Sequence, residues 1–188
     1  MTTTVEPLIS VRGLSKNFGP VPALASVDLE LGGGQIVGLL GQNGCGKTTL
    51  LKVLAGVMQD YEGQVRIAGN ELGPGTKACV SFLPDASYLD DSATVAQCIT
   101  MFSDFFQDFQ ADKANDMIAF FGLVADMKLK QMSKGMREKA QIALAMSRDA
   151  KVFLLDEPIS GVDPAARDGL LEGIVRNLEP DSLVIIST

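Results

Sequence analysis

The sequence contains a glycine-rich segment with the residue types that bind a phosphate chain, since residues 41–49 read GQNGCGKTT. The segment fills the pattern G-x-x-x-x-G-K-[ST], in which glycines let backbone N–H groups turn toward an anion. Lys47 can reach the β- and γ-phosphates of a nucleotide, and the Thr48 hydroxyl can bind Mg²⁺. An apolar strand is predicted before it at 36–40 and a helix after it at 48–55. We therefore expect a phosphate cradle rather than a strand–helix turn without a ligand.

Two adjacent carboxylates follow an apolar segment further along the chain. Residues 152–155 read VFLL, and Asp156 and Glu157 come next. Open α/β sheets bind ligands at the carboxyl ends of their parallel strands. There Asp156 would hold Mg²⁺ and Glu157 would orient and polarise an attacking water. The pair alone is typical of a solvated strand end, but together with the cradle it predicts hydrolysis of a nucleotide.

A third motif, SKGM at 133–136, reads as a helix start. Ser133 suits an N-cap position, and by itself the motif favours simple capping. Gly135 precedes Asp156 by 21 residues, which leaves room for one helix and a turn. Because a helix start offers a hydroxyl and free N–H groups, it is also a candidate second anion site.

Composition narrows the class of protein. The 188 residues have room for one domain, and 46% hydrophobic with 21% charged residues predicts a folded core. A net charge of -7 argues against binding to nucleic acid. The three cysteines are isolated and histidine is absent, so neither a zinc site nor a disulfide framework is expected. No apolar stretch approaches a membrane span and the start lacks a secretory pattern, so membrane contact is expected to go through a partner.

Apolar runs and their spacing predict an α/β core interrupted by helices. The interruption covers about 86–149 and leaves a core of 1–85 and 150–188. A half-buried antiparallel strand is predicted at 27–31, where apolar and acidic residues alternate. The other strands are predicted at 8–11, 36–40, 64–67, 78–83, 152–155 and 183–186, of which 36–40, 152–155 and 183–186 are apolar enough for parallel strands covered on both faces.

The inserted segment is predicted to be helical. Apolar residues recur there at three- and four-residue spacing, which favours packing over a ligand box. They are Val95, Ile99, Phe102, Phe106 and Phe109, followed by Met117, Phe120 and Phe121. A further helix is predicted over Lys134 to Arg148.

Taken together, the motifs resemble the ATP-binding subunit of an ABC transporter over nearly all of the chain. The resemblance identifies 41–49 as Walker A, 132–136 as the signature, 152–157 as Walker B and 160–163 as the D-loop. It implies a P-loop NTPase fold of class α/β, with a mostly parallel sheet, an N-terminal antiparallel β subdomain and an inserted α-helical subdomain. It also implies ATP and Mg²⁺ as cofactors, with Glu157 and Lys47 as catalytic residues. The implied nucleotide-binding residues are Phe18, Gly41, Asn43, Gly44, Cys45, Gly46, Lys47, Thr48 and Thr49; the implied metal ligands are Thr48 and Asp156, with Asp85 as a further candidate; the implied D-loop residues are Ser160 and Asp163.

The same resemblance implies how such subunits assemble. Two of them, identical or related, pair head to tail, so that Ser133 and Gly135 close over the ATP of the partner. Phe18 would stack on adenine, although it could equally be a core residue of the N-terminal sheet. Cys45 is more readily explained as a small residue in the cradle than as a redox group. A membrane-spanning permease would hold the subunit at the cytoplasmic face of the membrane.

Three departures from the family pattern bear on turnover. The signature reads MSKGM, so that Lys134 and Met136 replace a glycine and a glutamine. Pro84 and Asp85 stand where a glutamine is usual, and Asp85 would face Mg²⁺ or a coupling helix. The sequence stops at Thr188, where the family's switch histidine would be next, which predicts a piece of a longer subunit.

The expected function is ATP hydrolysis that powers solute transport through a separate permease. The SKGM motif and the short helical insertion resemble exporter subunits more than importers. Two alternatives stay open: a regulatory or hydrolysis-poor ATP-binding module, and a non-transport ABC ATPase that acts on ribosomes or DNA.

Overall fold

The computed structural model describes residues 6–159 and 164–188, which form both strands and helices. The strands are β1 (Ile9–Phe18), β2 (Val21–Leu31), β3 (Gln35–Leu39), β4 (Glu62–Ile67), β5 (Asn70–Glu71), β6 (Val80–Leu83), β7 (Val152–Leu155) and β8 (Leu183–Ser187). The α-helices are α1 (Lys47–Leu54), α2 (Pro74–Ala78), α3 (Val95–Phe105), α4 (Ala111–Phe120), α5 (Lys134–Met146) and α6 (Pro164–Arg176), and a 3₁₀ turn covers Leu129–Gln131.

The chain groups into two compact units. The first holds the described residues up to Phe82 together with Ala150–Asp156 and Glu179–Thr188. The second holds Leu83–Asp149 and the described part of Glu157–Leu178. The sequence predicts 150–188 to belong wholly to the core, whereas α6 falls in the second, helical unit.

Packing within the second unit explains the placement of α6. A Cβ at Gly173 would lie 2.5 Å from Cζ of Phe121, so the glycine lets that ring approach the helix. Lys113 Nζ donates a hydrogen bond to the carbonyl oxygen of Asn177 at 3.3 Å. This helix is not predicted from the sequence, because Gly169 and Gly173 lower the helix propensity of the segment.

An antiparallel sheet with the order β2-β1-β4-β5 forms one layer of the first unit. Ile9 pairs with Leu31 on one side and with Ile67 on the other. Residues 27–31 alternate between half-buried and exposed, as predicted. β1 extends past its predicted end to Phe18 and β2 begins before its predicted start, at Val21, because glycines and prolines interrupt the apolar pattern in this stretch.

A second sheet has the order β3-β8-β7-β6, and β8 runs parallel to both β3 and β7. β7 and β8 are buried along their whole length, as their apolar sequences predict. The prediction that 36–40 is covered on both faces is wrong, because β3 is an edge strand of the described sheet and Ile36 and Leu40 are 39% and 75% exposed. The strand predicted at 78–83 begins only at Val80, because the preceding residues form α2, which ends at Ala78. Pro74 lies in the first turn of that helix, where proline is favoured.

The second unit is built around α3 and α5. Thr94 and Gln97 form a reciprocal capping box at the start of α3, with hydrogen bonds of 2.9 and 3.2 Å. The Phe102 ring packs 5.5 Å from those of Phe106 and Phe109, centroid to centroid. The phenylalanine stripe is therefore packing, as predicted. α5 begins after Ser133 as predicted and ends two residues before the predicted Arg148.

Candidate nucleotide-binding site

The loop between β3 and α1 owes its shape to glycines. Gly46 occupies the N-cap position of α1 with φ of 98°, where a Cβ would collide with the carbonyl oxygen of Ala23. Gly44 also has a positive φ of 84°. Both are left-handed conformations that glycine adopts without a steric penalty. The loop therefore leads directly into the N-terminus of α1, where the helix dipole is positive and favours an anion.

Lys47 is folded into this loop. Its side chain is only 7% exposed, and Nζ donates to the carbonyl oxygen of Gly41 at 2.7 Å. The same ammonium lies 3.4 Å from the carbonyl oxygen of Gln42. The positive charge is thus held at the mouth of the loop, where it can exchange a carbonyl for a phosphate oxygen.

The other loop residues predicted to bind nucleotide differ in how exposed they are. Thr48 and Thr49 are half-buried in the first turn of α1. The other predicted loop ligands are exposed, namely Gly41, Asn43, Gly44 and Cys45. These loop residues are therefore accessible to an incoming phosphate chain.

Asp156 follows β7 and is 1% exposed. Its Oδ1 accepts hydrogen bonds from the Thr48 hydroxyl at 3.1 Å and from the Ser187 hydroxyl at 2.7 Å. Its Oδ2 is buried and has no hydrogen-bond partner within the described residues. The structure therefore brings the predicted metal ligands Thr48 and Asp156 together.

This oxygen set suits Mg²⁺. A buried carboxylate oxygen without a donor is costly unless a cation or a water satisfies it. Mg²⁺ prefers oxygen ligands and commonly uses one carboxylate together with substrate phosphates. Asp156 Oδ2 and the Thr48 hydroxyl oxygen are the atoms that fit this role.

Glu157 comes directly after Asp156 and has an unusual backbone. Its φ is 50°, a left-handed conformation that is rare for residues other than glycine. Such strain costs on the order of 1–3 kcal/mol and clusters at functional sites. The sequence does not reveal this strain, but it supports a functional role for Glu157.

Ser133 caps α5, as its sequence predicts. Its hydroxyl oxygen accepts a hydrogen bond from the Met136 N–H at 3.2 Å. Gly135 lies in the first turn, where a Cβ would meet nothing within 4 Å among the described residues. Neither a positive φ nor crowding by the residues that the structure describes explains the glycine there, although glycine lowers helix stability by about 1 kcal/mol relative to alanine.

Phe18 lies at the end of β1 and is 51% exposed. The interpretation of Phe18 as a core residue of the N-terminal sheet is therefore wrong. Its ring contacts Lys16, whose Nζ lies 5.1 Å from the ring centroid and 2.7 Å from Asp60 Oδ2. The stacking of Phe18 on an adenine stays a prediction.

Asp85 is exposed and belongs to the second unit. In that unit, burial raises the pKa of Glu138 on α5, and Lys134 lowers it. The negative charge of Asp85 raises the pKa of Glu138 further. Lys134 Nζ lies 3.7 Å from Glu138 Oε1. Two of the departures from the family pattern, Asp85 and Lys134, therefore influence the same carboxylate. Asp85 as a metal ligand stays a prediction.

Two further predicted residues, Ser160 and Asp163, lie outside the described residues. Ser187, by contrast, is a site residue that motif reasoning misses. Its signal in the sequence is a hydroxyl directly after the apolar run at 183–186. The fold places that run beside the strand that precedes Asp156.

Comparisons with known proteins agree with this geometry. The profile of the ABC transporter family matches residues 24–160. The chain is 33% identical to the ribose import ATP-binding protein RbsA of Cereibacter sphaeroides, over 95% of this chain and 38% of that protein. It is 29% identical to the Nod factor export ATP-binding protein I of Cupriavidus metallidurans, over 96% of this chain and 62% of that protein. The chain thus spans less than two thirds of these relatives.

A solved structure of the ATP-binding subunit of an ABC transporter superposes with a TM-score of 0.84 at 26% identity. The match covers 96% of this chain and 79% of that structure. It confirms the predicted α/β P-loop fold. None of the described helices is long and apolar enough to cross a membrane.

Proposed function

Because the chain belongs to the ABC transporter family, we propose that it binds ATP with Mg²⁺ and hydrolyses the nucleotide to power transport through a separate permease. The observation that carries the proposal is the Thr48–Asp156 hydrogen bond. It joins the glycine-rich loop to a buried carboxylate that has one oxygen left over. A loop that only connects a strand to a helix has no need of such a carboxylate.

The residues of the chain divide the work between binding and catalysis. Lys47 exchanges its bond to Gly41 for the β- and γ-phosphate oxygens, and the loop N–H groups hold the rest of the phosphate chain. Asp156 Oδ2 and Thr48 would hold Mg²⁺, which supplies charge neutralisation at the phosphates. Glu157 accepts a hydrogen bond from the attacking water and orients it.

We place Ser133 and Gly135 at the ATP of a second ATP-binding subunit. Ser133 offers a hydroxyl at a helix N-terminus, which favours contact with phosphate. Gly135 supports the same role, since its lack of a side chain is unexplained by packing among the described residues. The dimer partner is either a second copy or a related subunit.

The proposed membrane partner is a permease, which holds the subunit at the cytoplasmic face. Export is our preferred direction, on the strength of the SKGM signature and the short helical insertion. Relatives with similar identity are named for ribose import and for Nod factor export, so their names favour neither direction. Co-purification with a membrane protein supports the transport role, whereas a ribosome or DNA partner contradicts it.

A regulatory module that hydrolyses ATP poorly is the second candidate, and Asp85 at the usual glutamine position favours it. An ATPase assay with the permease partner separates the two. Turnover stimulated by the permease supports the first candidate, and tight ATP binding without turnover supports the second.

Calorimetric titration with ATP tests the binding step directly. Lys47→Ala removes the charged donor at the loop and is expected to weaken ATP binding by roughly 10- to 100-fold. Lys52→Ala, near the other end of α1, is the matched control and is expected to bind as the unaltered chain does. Equal affinity of the Lys47→Ala variant, or no ATP binding by the unaltered chain, contradicts the proposal.

A further inference from the structure

Ser187 and Asp156 leave neighbouring parallel strands at the same level. Leu155 of β7 pairs with Ile186 of β8, so the next residue on each strand, Asp156 and Ser187, lie side by side. Both are buried, at 1% and 0% exposed. The Ser187 hydroxyl donates to Asp156 Oδ1 at 2.7 Å, a normal distance for a hydrogen bond from a hydroxyl to a carboxylate.

The hydrogen bonds to Asp156 are unevenly shared between its two oxygens. Oδ1 receives both hydroxyls, from Thr48 at 3.1 Å and from Ser187 at 2.7 Å. Oδ2 receives none from the described residues, although it is equally removed from solvent. A buried oxygen without a donor calls for a partner that the described residues do not supply, such as a cation or a water.

We propose that Ser187 is a positioning residue for the cation of the ATP site, which it serves by fixing the Asp156 carboxylate with Oδ2 left free. The torsion that turns an aspartate carboxylate is broad and two-fold, so one donor alone restrains it weakly. With Ser187 and Thr48 both on Oδ1, the orientation is set before a cation arrives. Mutation of a residue that hydrogen-bonds a metal ligand typically weakens metal binding by about 10- to 100-fold.

The same bonds leave Thr48 suited to bind the cation. A hydroxyl that donates its only proton to Asp156 keeps its oxygen lone pairs for another partner. If Ser187 is removed, the Thr48 hydroxyl is the remaining donor to the Asp156 carboxylate among the described residues. The affinity for the cation is then expected to fall, whereas the affinity for the phosphates is not. The inference rests on the proposed ATP site, and it separates metal affinity from nucleotide affinity.

Manganese provides a direct readout, because free Mn²⁺ gives a paramagnetic resonance signal that bound Mn²⁺ does not. The measurement titrates Mn²⁺ into the chain with ADP bound, and a separate titration measures ADP affinity in EDTA. Ser187→Ala is expected to weaken Mn²⁺ binding by about tenfold. ADP affinity in EDTA is expected to stay within twofold of the unaltered chain.

Ser182→Ala is the matched control, since Ser182 is 1% exposed and its hydroxyl donates to the Ala150 carbonyl oxygen rather than to Asp156. It is expected to leave Mn²⁺ affinity unchanged. Ser187→Thr keeps the hydroxyl and is expected to restore Mn²⁺ binding, which also covers the case in which Ser187→Ala does not fold.

Unchanged Mn²⁺ affinity in a folded Ser187→Ala protein overturns the inference, as does a Ser187→Thr protein that folds but binds Mn²⁺ tenfold more weakly. An equal loss of ADP and Mn²⁺ affinity also overturns it, because it indicates a general structural role. Failure of the unaltered chain to bind ADP is a different result and contradicts the proposed function instead.

Discussion

The Thr48 hydroxyl donates a hydrogen bond to Asp156 Oδ1 at 3.1 Å and joins the first turn of α1 to the end of β7 across 108 residues of sequence. Both residues belong to the first compact unit. The cradle for the phosphates and the carboxylate for the cation therefore belong to the same compact unit.

Asp156→Asn tests the carboxylate of this pair. An amide keeps the shape of the side chain but loses the negative charge that attracts Mg²⁺, so the Mg²⁺-dependent gain in ATP affinity is expected to disappear. ATP hydrolysis is expected to fall by at least about 100-fold. Asp181→Asn is the control, because Asp181 is an exposed residue paired with Lys151 at 2.6 Å. A variant at Asp156 that keeps Mg²⁺-dependent binding contradicts the assignment.

Phe18→Ala tests the predicted adenine contact. Stacking of a base on an aromatic ring contributes about 1–3 kcal/mol, so ATP affinity is expected to drop roughly tenfold. Binding of inorganic tripolyphosphate, which lacks a base, is expected to stay unchanged. Phe105→Ala removes another exposed ring, which is 79% exposed on α3, and should affect neither ligand. An equal effect of Phe18→Ala on both ligands argues against stacking.

Alkylation of Cys45 is expected to abolish nucleotide binding. The thiol is exposed in the loop, and a Cβ at Gly41 would lie 2.5 Å from Sγ, so an added group would fill the cradle. Treatment with N-ethylmaleimide followed by ATP titration measures the effect. Cys45→Ala is expected to bind ATP both before and after treatment, which separates Cys45 from Cys79 and Cys98. Undiminished binding by fully modified protein refutes the prediction.

The carboxylate of Glu138 predicts a pH-dependent stability. Burial and the charge of Asp85 raise the pKa of Glu138 above its ordinary value of 4.5, and Lys134 only partly opposes them. An acid with a raised pKa costs stability when it is ionised, and the cost disappears as the pH falls below the unfolded value. Glu138→Gln is therefore expected to raise Tm by a few degrees at pH 8 and to leave it unchanged near pH 4.

Melting curves across this pH range check the expectation. Glu172→Gln changes an exposed glutamate on α6 and is the control, with no expected change in Tm at either pH. A Glu138→Gln protein with the same Tm as the unaltered chain at pH 8 contradicts the burial argument.

Much of this fold follows from sequence pattern, and the misses have physical causes. β7 and β8 are predictable because strands buried on both faces are continuous apolar runs. β3 has the same kind of sequence but lies at the edge of the described sheet, and position in a sheet is not encoded locally.

The candidate site divides in the same way. The loop with Lys47 is predictable because its residues are contiguous, and Asp156 because it ends an apolar run. Ser187 is missed because its role depends on the strand order that places β8 beside β7. The positive φ of Glu157 is likewise a property of the folded backbone and leaves no mark in the sequence.

The most direct test of the account is the oligomeric state of Glu157→Gln with ATP and Mg²⁺, measured by light scattering after size exclusion. If Glu157 orients the water, the variant is expected to bind ATP and to hydrolyse it at least about 100-fold more slowly. If Ser133 contacts the ATP of a partner subunit, the variant is also expected to form a dimer that dissociates when ATP is removed. Glu62→Gln, an exposed change on β4, should hydrolyse ATP as the unaltered chain does. A Glu157→Gln protein that turns over ATP at a near-normal rate and stays monomeric contradicts the account.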